Sequence, residues 1–135
     1  MCGTEHIDGR FIRIVLLISI GRHSFFIQVI GIMGIAISGA VYCPLSPRDP
    51  EQRLYALVNE TKSRVVLVEW MTHDKFANGI SAVDIDSVLN DDDFVNDGDL
   101  ERLSAVLLTP ENIAYTIFTS GSTGTPKAVS VYFER

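Results

Sequence analysis

Short β-branched runs set apart by helix-length segments constrain this chain most. Residues 12–18 are dominated by Ile, Leu and Val, and residues 41–43, 65–68 and 114–118 return to the same strand-like character. A strand buried on both faces reads as such a run, without the alternation of a half-exposed one. Between the first two runs, residues 25–37 are apolar nearly all round, as suits a helix held between a sheet and other structure. Ser24 can cap that helix and Gly39 can end it. Between the second and third runs, Asp49 is a cap, Pro50 takes the first helical position and Gln52 the first turn. Leu54, Leu57, Val58 and Thr61 then share one face of the second helix. Strand, helix, strand, helix and strand in succession predict an α/β fold: a parallel sheet with flanking helices and right-handed crossovers. Residues 82–85 read as a further short strand and residues 90–101 as an acidic, solvated loop.

Composition narrows the function. At 135 residues the chain is one domain or part of one, and 47% hydrophobic with 21% charged residues is ordinary for a globular protein. A net charge of −6 leaves no basic stripe for nucleic acid. Cys2 and Cys43 are too few for a zinc site or a disulfide framework, which points to a reducing, cytoplasmic setting, with Cys43 as a small buried hydrophobe. No charge interrupts residues 25–45, yet Gln28, Ser38, the glycines and Pro44 favour a buried helix followed by a buried strand over a membrane span. Glu5 and Asp8 ahead of the apolar run argue against a signal peptide. The aspartates near Gly98 do not make an EF-hand, since the frame that places Gly98 at the required glycine puts Val95 third and Ser104 twelfth. No metal site is expected within the chain.

The segment with chemical content is Tyr115-Thr116-Ile117-Phe118-Thr119-Ser120-Gly121-Ser122-Thr123-Gly124-Thr125-Pro126-Lys127. An apolar approach leads into nine residues of which seven bear a hydroxyl or are glycine. Gly121 and Gly124 permit positive φ and close approach of backbone N–H groups to phosphate oxygens. Thr119, Ser120, Ser122, Thr123 and Thr125 offer hydroxyls, Pro126 restricts the exit, and Lys127 supplies a point charge. This is not a Walker A loop, because Pro126 stands five residues after Gly121, and no dinucleotide-binding Gly-x-Gly-x-x-Gly occurs.

The string from Thr119 to Lys127 resembles the phosphate loop of the AMP-forming adenylation enzymes, the superfamily of acyl-CoA synthetases, firefly luciferase and peptide-synthetase adenylation domains. A second stretch, Gly39-Ala40-Val41-Tyr42-Cys43-Pro44-Leu45-Ser46-Pro47-Arg48-Asp49-Pro50-Glu51-Gln52-Arg53-Leu54, is similar to the upstream signature of the same superfamily, in the same order. The Thr-Ser-Gly-Ser-Thr-Gly core and the Pro-Leu-x-Pro run resemble the amino-acid-activating peptide-synthetase branch most.

The resemblance implies an incomplete N-terminal subdomain of an adenylation domain over residues 12–131, with an N-terminal tail at 1–11 and a truncated tail at 132–135. It further implies ATP as the nucleotide and a carboxylate, an amino acid in this branch, as its co-substrate. Magnesium would be held by a ligand outside this chain, and a carrier-protein domain would be the partner; neither nucleic acid nor a membrane is implied. Thr119, Ser120, Gly121, Ser122, Thr123, Gly124 and Thr125 take the nucleotide-binding positions and Lys127 the catalytic one. The adenine, ribose and substrate-pocket motifs and the C-terminal catalytic lysine have no counterpart here. Ala128 replaces the glycine usual after the lysine, Phe133 replaces a histidine, and Ile37 a lysine. The alternative is a non-catalytic nucleotide-binding or interaction module that keeps only the loop.

Overall fold

The computed structural model describes residues 13–17, 24–76, 80–91, 97–119 and 126–133. In chain order the elements are β1 (Arg13–Leu17), α1 (Ser24–Ile37), β2 (Val41–Leu45), α2 (Glu51–Glu60), β3 (Val65–Val68), a 3₁₀ helix (Trp70–Phe76), β4 (Ser81–Asp84), α3 (Ile85–Leu89), α4 (Asp97–Ser104), β5 (Ile113–Thr119) and β6 (Lys127–Tyr132). They form one six-stranded sheet in the order β4-β3-β1-β2-β5-β6. Every neighbouring pair is parallel except β5 and β6, which are antiparallel. The parallel expectation thus holds for all the strands read from the sequence. The hairpin partner β6 is new.

The chain steps from β1 to β2 on one side, then back across β1 to β3 and β4 on the other. With right-handed crossovers, such a reversal puts successive helices on opposite faces of the sheet. The packing shows this. Leu54, Leu57 and Val58 of α2 bury against Cys43 and Leu45 of β2, Val66 and Val68 of β3, and Phe76. Ile35 of α1 and Ile85 of α3 instead form a cluster with Ala40, Tyr42 and Leu67, the residues of opposite parity on the same strands. Cys43 is fully buried in the α2-side core, in the role of a small hydrophobe; Cys2 lies outside the described residues.

Both long crossovers end in left-handed turns. After α1 the N–H of Ala40 donates to Ile35 O and that of Gly39 to Ala36 O, with Gly39 at φ 71°. After α2 the N–H of Ser63 donates to Val58 O and that of Lys62 to Asn59 O, with Lys62 at φ 52°. These are paired C-terminal capping motifs, one with the residue that tolerates the conformation and one without it. Gly39 also has no room for a side chain, since a Cβ would lie 2.7 Å from Val106 Cγ1. Thr61, fully buried before Lys62, donates its hydroxyl back to the carbonyls of Leu57 and Val58.

Three expectations need correction. Pro50 is the N-cap of α2, one position before the first helical residue, and its carbonyl accepts from the N–H groups of Arg53 and Leu54. Asp49 forms an ion pair with Arg53 at 3.4 Å. The acidic stretch is in part helical: α4 starts at Asp97, where acidic residues suit the helix N-terminus, and Leu100 and Leu103 recur at helical spacing. The third concerns α1, which packs on one side only and leaves Phe25, Phe26, Ile30, Met33 and Ile37 exposed. At 14 residues it is short of a membrane span, and among the described residues no helix is long and apolar enough to cross one.

Candidate functional site

β5 sits beside β2 with Tyr115 opposite Tyr42. Tyr42 faces the α1 side, so Tyr115, Ile117 and Thr119 follow it there, while Thr116 and Phe118 turn toward α2. Phe118 does pack on the α2-side core. The fully buried Thr116 exchanges a hydroxyl hydrogen bond with Ser130 of β6 at 3.0 Å, bracing the hairpin from within. Alternation along residues 114–118 could have exposed the polar inward position of Thr116, but its partner on β6 was not legible.

The ladder runs from Ile113 opposite Tyr132 to Thr119 opposite Lys127. β6 therefore takes in the first residue of the expected tail, and the N–H of Phe133 donates to Asn112 O. Of the candidate residues, the structure brings Thr119 and Lys127 together. The Thr119 hydroxyl donates to the Lys127 carbonyl at 3.4 Å, and both residues are exposed. Ser120, Gly121, Ser122, Thr123, Gly124 and Thr125 lie outside the described residues. The span between the closing pair, residues 120–126, is longer than the two to five residues of ordinary hairpin connections, and loops beyond what a turn needs are where function concentrates.

The sheet fixes where that span emerges. β5 is parallel to its neighbour β2, so the C-terminal ends of both strands open on one edge, the edge at which open α/β sheets bind ligands. β2 ends there in a turn over residues 46–49. Asp49 N–H donates to Ser46 O at 3.1 Å, and Arg48 N–H to Ser46 Oγ at 3.3 Å. From the 3₁₀ helix, Lys75 Nζ donates to the Pro47 carbonyl and ties the turn down. Lys127 makes no ion pair among the described residues, which leaves its charge available for an anion. Among the described residues no group of three His, Cys, Asp or Glu side chains could hold a metal ion.

Comparison with known proteins agrees with this geometry. The sequence profile of the AMP-binding enzyme family matches residues 25–134. The chain is 39% identical over 104 residues to bacitracin synthase 1 of Bacillus licheniformis and 33% identical over 104 residues to the zwittermicin A synthase ZmaJ of Bacillus cereus. Each match takes in 77% of this chain, but only 2% and 19% of those relatives. In three dimensions, the structure of VinN with 3-methylaspartate superimposes with a TM-score of 0.68 at 29% identity, covering 93% of this chain and 34% of VinN. The N-terminal subdomain of NpsA from Klebsiella oxytoca gives 0.69 at 18% identity over 91% of this chain and 29% of its own, a likeness of fold alone. The chain belongs to the AMP-binding enzyme family, and its fold is that of the N-terminal subdomain of adenylation enzymes. Its relatives are peptide-synthetase adenylation domains.

Proposed function

We propose that this chain supplies the ATP-phosphate-binding part of a longer AMP-forming ligase that activates a carboxylate, an amino acid, as its acyl-adenylate. The observation that carries the reading is the pairing of Thr119 with Lys127, which closes a hydroxyl- and glycine-rich span at the ligand-binding edge of the sheet. In the reaction a carboxylate oxygen attacks the α-phosphorus of ATP. The bond from that phosphorus to the bridging oxygen breaks, and the electron pair leaves with pyrophosphate. Lys127 stands where it can neutralise the charge gathering on the leaving group, while the hydroxyls and backbone N–H groups of residues 119–125 hold the β- and γ-phosphates. Magnesium accompanies ATP in this reading, with its protein ligand outside the chain.

Relatives favour an amino acid. VinN has been solved with 3-methylaspartate and with L-aspartate. A carrier-protein domain would then be the partner that receives the activated acyl group, and the domain division of residues 1–11, 12–131 and 132–135 belongs to the same proposal.

The test is amino-acid-dependent exchange of labelled pyrophosphate into ATP, run on the longer protein that contains this chain with a panel of amino acids and simple carboxylates. Exchange stimulated by one amino acid supports the reading. ATP binding without exchange for any carboxylate would replace it with the non-catalytic module.

A further inference from the structure

The turn after β2 carries a cation for which the phosphate-loop reading has no use. Tyr42 lies opposite Tyr115, and the two strands run parallel, so three further steps bring Leu45 beside Phe118 and four bring Ser46 beside Thr119. Leu45 and Phe118 meet in the α2-side core, as that register requires. The turn over residues 46–49 and the span over residues 120–126 thus leave the sheet side by side. Arg48 sits in this turn and is exposed.

Two features leave its charge for something else. Asp49, the carboxylate next to it, is engaged by Arg53 at 3.4 Å, and Arg48 itself makes no ion pair among the described residues. The backbone beneath Arg48 is also fixed from two directions. Its own N–H is held by Ser46 Oγ, and the preceding carbonyl, that of Pro47, accepts from Lys75 Nζ. A guanidinium on a tethered turn needs less ordering to meet a phosphate than one on a mobile loop, and its fork of N–H donors can take two phosphate oxygens at once.

We infer that Arg48 is a second cationic contact for the phosphate chain of the nucleotide, acting from the β2 side of the loop while Lys127 acts from the β6 side, with Lys75 as the positioning residue of its turn. This rests on the proposed ATP-phosphate function and adds to it a residue outside the loop. A ligand lacking the β- and γ-phosphates should be indifferent to Arg48. That sets the test apart from one for a merely structural role.

Binding of ATP, pyrophosphate and AMP to the longer protein that contains this chain would be measured by calorimetric titration for the native sequence, Arg48→Gln, Arg48→Lys, Lys127→Ala and Arg64→Gln. Arg64 is an exposed control just before β3, at the opposite edge of the sheet. Arg48→Gln should weaken ATP and pyrophosphate by about three- to tenfold and leave AMP unchanged, the size of a partly exposed charge-assisted contact. Arg48→Lys should retain part of the affinity, and Arg64→Gln all of it. Unchanged ATP affinity in Arg48→Gln, beside a loss in Lys127→Ala, would overturn the role of Arg48 and leave the loop reading standing. Equal losses for ATP and AMP, or for Arg48→Gln and Arg64→Gln, would also overturn it. No ATP binding by the native protein would remove the loop reading and this inference together.

Discussion

Thr119 and Lys127 stand directly opposite each other where β5 and β6 part, joined by a hydrogen bond from the Thr119 hydroxyl to the Lys127 carbonyl. Directly opposed residues in an antiparallel pair hold their Cβ atoms about 5 Å apart, so the span between them has a narrow mouth with a cation at its rim. Three residues earlier, Thr116 and Ser130 pair their hydroxyls in the same hairpin. The two threonines should separate on substitution. Thr116→Val strands the Ser130 hydroxyl and should cost about 1–2 kcal/mol of stability, seen as a lower urea midpoint. Thr119→Val, at an exposed position, should leave stability within about 0.5 kcal/mol while weakening ATP binding.

Two glycines of the α1 region respond in opposite directions. Gly39→Ala meets both a positive φ and Val106 Cγ1 at 2.7 Å, and should destabilise by about 2–4 kcal/mol. Gly34→Ala, within α1 and with nothing within 4 Å of its Cβ, should stabilise by about 0.5–1 kcal/mol. Denaturant unfolding of the two variants reads both signs.

Lys62 holds a left-handed backbone at φ 52°. Lys62→Gly relieves that cost, and the extra freedom of glycine in the unfolded chain returns part of it, so a net gain of about 0.5–1 kcal/mol is expected. A thermal midpoint no higher than that of the native sequence would contradict it.

Burial raises the pKa of Tyr42, and a negative charge on the adjacent Cys43 would raise it further. The folded state therefore holds the phenolic proton more tightly than the unfolded chain, whose tyrosine titrates near pH 10. Stability from this source is full below about pH 10 and is lost as pH rises through the higher folded value. The urea midpoint of the native sequence should fall more between about pH 9 and pH 11 than that of Tyr42→Phe. Parallel curves for the two would remove Tyr42 as the cause.

The legible parts of this fold were those whose signal is local. Val65–Val68 came out at the expected bounds, because four apolar β-branched or Leu residues bounded by polar ones have little else to form. β2 was read only as far as Cys43 because Pro44 has no N–H for the ladder, yet the strand continues through it to Leu45, paired with β1. α4 was hidden by its own aspartates and Gly98, which look like loop chemistry until Leu100 and Leu103 are set at helical spacing. β6 was missed because antiparallel pairing depends on a return of the chain that no local pattern announces. For the site, the residue types pointed to phosphate, and the family likeness supplied the order of motifs. The opposition of Thr119 to Lys127 and the neighbouring Arg48 turn needed the sheet register.

The central claim is that Lys127 acts on the leaving pyrophosphate, and the direct measurement is pyrophosphate-exchange kinetics with ATP binding for Lys127→Ala in the longer protein that contains this chain, beside Arg64→Ala. An interaction that strengthens as charge gathers on the leaving group should lower kcat about 100-fold and weaken ATP binding less than tenfold, with Arg64→Ala unchanged. Retention of native kcat in Lys127→Ala, or a loss confined to ATP affinity, would contradict the account.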